Sequence, residues 1–263
     1  MTATEINSQL ALQLKELRLP TIRACYEEVA EMARVEALTF EHYLLEVIER
    51  EQEVRHQRRI ERFLRESRLP LEKTLEAFDR SRLPRKIDLT LSALCEGSFL
   101  DRRENLLAFG NPGSGKTHLL CAIGHELVRQ GHRVLFTSCQ LLVQNLLVAK
   151  RDLVLPKVLK RLSRYEAIIL DDLGYVQQSQ QEMEVLFTLL AYRYERGSIM
   201  ITSNLPFSQW EMIFKNPMTT AAAIDRLVHH SVILELNLPS YRLEASKRQA
   251  SRPGSAPPHR SAR

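Results

Sequence analysis

Hydrophobic positions in the first seventy residues recur at helical spacing. Ile22, Tyr26, Val29 and Ala33 fall three or four apart, which gathers them on one face of an α-helix. Phe40, Tyr43, Leu44, Val47, Ile48 and Val54 resume the pattern after a break near Leu38–Thr39, with Thr39 placed to cap the next helix. That helix should run to about Arg68, since Pro70 disfavours helical geometry in the residue before it. From about residue 100 the rhythm changes. Short apolar runs at Asn105–Gly110, Arg133–Cys139, Ala167–Asp172, Ser198–Asn204 and Ser231–Asn237 have the character of strands buried on both faces. Between them lie helical stretches at Lys116–Gln130, Leu141–Ala149, Lys157–Leu162, Gln180–Tyr194 and Thr220–His229, with Gly131 suited to end the first. Five strands separated by helices predict an α/β fold, a parallel five-stranded sheet flanked by helices, preceded by a small all-helical domain.

Composition narrows the picture. The chain has 263 residues, 44% hydrophobic and 26% charged, as soluble globular proteins do. No apolar run approaches the roughly 18–20 residues of a membrane span, and the Met1 end carries no signal-peptide pattern, so no membrane partner is expected. Cys25, Cys95, Cys121 and Cys139 stand far apart, which argues against a disulfide scaffold or zinc site and for a reducing cytoplasm. Much of the net charge of +5 sits at the end: residues 244–263 hold five Lys or Arg against one Glu. With no Val, Ile, Leu or aromatic residue and three prolines, this basic tail cannot bury a core and is predicted to be disordered. The predicted division is therefore 1–72 helical and suited to partner or DNA contact, 73–243 nucleotide-handling core, and 244–263 tail. Within the first part, Arg55, Arg58, Arg62 and Arg65 share one helix face, readable as a phosphate-facing stripe, a docking face or a solvated surface. Arg80, Arg82, Arg85 and Lys86 form a second basic cluster.

The sharpest signal is Gly110-Asn111-Pro112-Gly113-Ser114-Gly115-Lys116-Thr117, which fits GxxxxGK[ST] between a predicted strand and an amphipathic helix. Glycines let consecutive amides curl around phosphates at the positive end of the following helix. Lys116 can reach the β- and γ-phosphates, and the Thr117 hydroxyl can ligate Mg²⁺. Such a loop also needs a carboxylate at the end of a neighbouring strand. Asp171, about 55 residues downstream, is the expected Mg²⁺ partner, and Asp172 could orient or deprotonate the attacking water. The polar end of Ile201-Thr202-Ser203-Asn204 brings Asn204 towards the γ-phosphate. Asp171-Asp172-Leu173-Gly174 also reads DxxG, but no NKxD guanine-reading element occurs, so ATP is favoured over GTP.

Together these elements resemble the AAA+ P-loop NTPases, and within them the IstB-type insertion-sequence helper ATPases, relatives of the DnaC helicase loaders. The resemblance runs through Arg68-Leu69-Pro70, Phe78-Asp79, GNPGSGKTHLL, RVLFT, IILDDLGY, LLAYRYERGSIMITSNLPFSQW, AAIDRLVHHSVILEL and Ser240-Tyr241-Arg242-Leu243. It makes Gly110–Thr117 and the adjoining His118 the nucleotide-binding run, Asp171 and Asp172 Walker B, and Asn204 sensor 1. Arg226 matches the arginine finger that one subunit donates to a neighbour's nucleotide, and Arg242 a sensor-2-like arginine. Most AAA+ proteins carry Asp-Glu at Walker B, so Asp172 is one methylene shorter than the usual residue. The resemblance implies an Mg-ATP-dependent ATPase that self-assembles as a ring or spiral on duplex DNA and assists a transposase in target selection and insertion. A DnaC-type replicative helicase loader, and a DNA-binding scaffold with negligible turnover, are alternatives that the core motifs do not separate.

Overall fold

The computed structural model describes residues 2–174, 179–206, 209–210, 217–241 and 243–244. The chain divides into two compact units, Met1–Arg62 and Phe63–Arg263. The first contains α1 (Ala3–Glu16), α2 (Pro20–Val35) and most of α3 (Phe40–Ser67). Thr2 and Glu5 form a capping box on α1, and Thr39 accepts the His42 amide at 3.3 Å at the start of α3, as its position suggested. The start of α2 has no cap of its own. Glu51 of α3, 3% exposed, supplies it by accepting the Thr21 and Ile22 amides at 2.7 and 3.0 Å.

In the second unit the end of α3 is anchored by packing. Phe63 and Leu69 are buried, the Arg133 guanidinium lies 5.2 Å over the Phe63 ring, and Arg133 pairs with Glu66 at 2.7 Å. Residues 71–101, which the hydrophobic pattern left unassigned, contain a 3-10 turn (Arg80–Arg82), α4 (Arg85–Cys95) and the short α5 (Ser98–Asp101). Ile87, Leu91 and Leu94 bury one face of α4. The charged, proline-broken sequence ahead of them hides that spacing.

The core then alternates as β1 (Asn105–Gly110), α6 (Lys116–Arg129), β2 (Val134–Ser138), α7 (Cys139–Arg151), α8 (Leu155–Leu162), β3 (Ala167–Leu173), α9 (Gln180–Arg193), β4 (Ser198–Ser203), α10 (Pro217–Val228) and β5 (Ser231–Leu236). The strands pair in parallel in the order β2-β3-β4-β1-β5. Helix boundaries shift by a few residues from the sequence pattern, as frayed ends do. All five strands are where the apolar runs predicted. Leu106–Ala108 and Ile168–Leu170 are fully buried, and ten residues of α6 are buried, so this helix is a core element. The order places β4 between β3 and β1, so the end of β4 lies between the segments that leave the other two strands.

Arg193 closes the opposite edge of the sheet. It is 2% exposed, and its guanidinium donates to the carbonyls of Leu162, Tyr165, Glu166 and Ser198 at 2.9–3.1 Å. Burial lowers its pKa to about 10, still far above neutrality, so the buried group is a cation held by carbonyl dipoles. A Cβ at Gly197 would lie 2.4 Å from its Nη2, which explains glycine there.

The Glu51 cap yields a test within the first unit. Burial pushes this carboxyl's pKa up, but Arg55 at 2.7 Å and the two amides outweigh it and hold it below its ordinary 4.5. A depressed folded-state pKa means the contribution is complete above pH 4.5 and is lost as pH falls through the folded value. Glu51→Gln should therefore speed amide exchange at Thr21 and Ile22 about tenfold or more at about pH 7, with wild type converging on the variant in acid. Unchanged exchange would remove Glu51 as the cap.

Candidate nucleotide site

The loop after β1 owes its path to residues that leave no room for side chains. A Cβ on Gly110 would meet the Leu236 carbonyl oxygen of β5 at 2.2 Å, a backbone atom that cannot step aside. Gly113 has φ +80°, and a Cβ there would meet Ser240 Oγ at 2.2 Å. The amide of Tyr241 donates to the Gly113 carbonyl at 3.0 Å, so the segment after β5 is fastened to the loop. Lys116, 5% exposed at the start of α6, donates to the Gly110 and Asn111 carbonyls at 2.8 and 2.9 Å. Ser114 Oγ is buried and has no hydrogen-bond partner among the described residues. A hydroxyl in that position suits an acceptor-rich ligand, and a phosphate matches it.

Opposite the loop, β3 and β4 fall out of register between Leu170 and Leu173, and Asp172 takes φ +59°. In a regular strand neighbouring side chains point to opposite faces; the irregularity brings two consecutive carboxylates to one cleft. A left-handed aspartate costs on the order of 1 kcal/mol. Thr202 offsets it by accepting the Asp172 amide at 2.8 Å while its own hydroxyl donates to Asp171 Oδ1 at 2.8 Å. The same Oδ1 accepts the Thr117 hydroxyl at 2.7 Å. Thus β4, set between β3 and β1, holds the carboxylate against the start of α6. Thr117 and Asp171 present hard oxygen donors, the set that Mg²⁺ prefers.

Gly113–His118, Asp171, Asp172 and Asn204 line one cleft of about 330 Å³. Its remaining walls come from residues the motifs did not single out as contacts, among them Lys73, Phe78, Arg82 and Tyr241. Phe78 lies against Gly115, where a Cβ would touch its ring at 3.1 Å, and meets His118 edge-on at 5.1 Å. His118 in turn bonds the Thr74 carbonyl at 2.9 Å. Arg82 stacks over Tyr241 at 5.2 Å, donates to the Pro239 carbonyl at 3.0 Å and pairs with Glu244 at 3.2 Å. Arg80 of the same basic cluster is engaged by Asp88 at 2.7 Å. Phe78 was visible in sequence as part of a motif, whereas Thr202 was read only as part of the strand that ends at Asn204.

The other predicted residues lie elsewhere. Arg226 is half-buried near the end of α10, beside the start of β1, where Asn105 Nδ2 donates to the Leu227 carbonyl at 3.1 Å. Six residues of β1, roughly 20 Å, separate that edge from the loop. Arg55, Arg58, Arg62 and Arg65 are exposed along α3; Arg55 binds Glu51 and the Arg18 carbonyl. Arg242 and residues 245–263 lie outside the described residues.

A phosphate loop leaving β1, acids leaving β3 and a polar strand end between them, on this strand order, define a P-loop ATPase of the AAA+ class. The chain matches the IstB-like ATP binding protein family over residues 12–250 and belongs to it. It is 45% identical to a protein of Sinorhizobium fredii named as an insertion sequence ATP-binding protein, over 94% of this chain and 84% of that one. An IS21 insertion sequence ATP-binding protein of Pseudomonas aeruginosa is 37% identical over 91% of each chain. The DnaC helicase loader shares the fold, with a TM-score of 0.54 at 19% identity, over 63% of this chain and 97% of that one. No helix among the described residues is long and apolar enough to cross a membrane.

Because Thr202 aligns both acids, Thr202→Val, which keeps shape and loses the hydroxyl, should lower phosphate release about 10–100-fold. ATP affinity by calorimetry should change only a few-fold. Wild-type turnover in this variant would remove Thr202 from the site.

Proposed function

We propose that this chain is the ATP-driven helper of an insertion sequence: it assembles on duplex DNA and serves a transposase in target selection and insertion. The observation that carries the reading is the convergence of Lys116, Thr117, Asp171, Asp172 and Asn204 on one cleft in a member of the IstB-like family. Lys116 and the loop amides bind the triphosphate and orient its terminal phosphoryl group. Mg²⁺, held by Thr117 and Asp171, would neutralise charge on the β- and γ-phosphates. Asp172 accepts a proton from the attacking water or orients it, and Asn204 hydrogen-bonds that water or the γ-phosphate. The bend at Asp172 aims its shorter side chain, which supports a catalytic role for aspartate where glutamate is usual.

Arg226 sits a strand's length from its own loop, which supports action in trans on a neighbour's nucleotide in a ring or spiral. Arg55, Arg58, Arg62 and Arg65, all exposed on α3, are the candidates for phosphate contact, and Arg55 also binds Glu51. Identity of 45% to a protein named for an insertion sequence favours the transposition reading, because the likeness to DnaC is one of fold.

Two measurements test this. Arg226→Ala should keep ATP affinity within a few-fold and lose the DNA-stimulated part of hydrolysis, by about 10³-fold if the arginine acts as trans fingers do. Normal DNA-stimulated turnover in the variant refutes the trans role. Reversing Arg58 or Arg62 to Glu should weaken duplex binding and flatten the plot of log affinity against log salt by about one unit per lost contact. An unchanged slope assigns those residues to protein docking or solvent.

A further inference from the structure

Arg226 does not stand alone on its edge of the sheet. Its Cζ lies 4.8 Å over the ring of Phe187, which projects from α9, the helix that comes after β3. Phe187 is half-buried and packs against the main core, so its ring is a fixed platform. Arg226 Nη1 is buried, and no described residue accepts a hydrogen bond from it. Beside it is a cleft of about 100 Å³ to which Arg102, Arg103, Arg193 and His230 also contribute, with Glu195 as its acid. A long cationic side chain is thus held against an aromatic face in basic surroundings, with Nη1 turned inward and the residue only half-buried.

We infer that Phe187 is a positioning residue for Arg226: its ring holds the guanidinium ready to meet the triphosphate of a neighbouring copy. This rests on the trans role proposed for Arg226. The ring quadrupole attracts the cation and leaves the guanidinium edge available, and it removes rotamer freedom that Arg226 would otherwise lose when subunits meet. A ring is suited to this where a carboxylate is not, because a carboxylate would occupy the same N–H groups that the phosphate requires. The chemistry recognised is a phosphate of a nucleoside triphosphate supplied by a second copy of this chain.

Progressive fluorination of the ring tests the inference without altering its shape. The full-length protein carrying one, two or three fluorines on Phe187 should show a stepwise fall in DNA-stimulated turnover, about five- to thirty-fold overall, with ATP affinity unchanged. Phe187→Leu should match the trifluorinated protein, and Phe187→Tyr should retain most of the activity. A flat response to fluorination, or a rise in turnover, overturns the positioning role. Arg226→Ala run in parallel separates the two ideas. If that variant is inactive while fluorination has no effect, only the role of Phe187 fails. If Arg226→Ala is fully active, the trans reading itself fails.

Discussion

The functional half of this molecule depends on one carboxylate oxygen. Asp171 Oδ1 accepts the hydroxyls of Thr117 at 2.7 Å and Thr202 at 2.8 Å, and so joins the helix after the phosphate loop, the end of β3 and the end of β4. Three segments far apart in sequence are brought to hydrogen-bonding distance because the strand order sets β4 between β3 and β1. Without that insertion the carboxylates would face the loop across an unsupported gap. With it, Thr202 both steadies Asp171 and accepts the amide of Asp172, whose left-handed backbone would otherwise lack compensation.

The phosphate loop is constrained from the other side by β5 and the residues just beyond it. Gly110 is pressed against the Leu236 carbonyl, and Gly113 against Ser240, so these glycines answer to neighbouring chain as much as to a ligand. Arg82 then ties the segment after β5 to the segment before α4 by stacking on Tyr241 and binding Pro239 and Glu244. The walls of the cleft are therefore built from the two ends of the core unit. A nucleotide that touches both would stabilise their contact, which is how binding in such a site can be felt outside it.

The two edges of the sheet carry opposite assignments. Acids and loop amides stand where the strands end, while arginines gather where they begin. Arg193 there donates to four carbonyls and is structural, whereas Arg226 is half-buried with the Phe187 ring beneath it. Equal charge does not give equal function. Four carbonyl acceptors mark the guanidinium that completes the fold, and the half-buried one over a ring is the one proposed to meet another molecule.

Much of this was legible from residues alone. Five apolar runs became the five strands, because a strand covered on both faces must be apolar throughout. The glycine spacing located the phosphate loop, because few residue types tolerate its backbone. Asp171 and Asp172 stood out as acids directly after a buried strand. What periodicity could not reach was any contact that depends on which strands lie side by side. Thr202 is one more small residue in Ile201-Thr202-Ser203 until β4 is set next to β3. Phe187 is one more apolar residue of a predicted helix until α10 brings Arg226 over its ring. Glu51 is one acid among many on α3 until the bare start of α2 meets it. Local chemistry is written in the order of residues, since spacing and backbone preference act over a few positions. Alignment of those groups into a site waited on the strand order and helix packing, because hydrogen bonds and ring contacts are decided within a few ångströms.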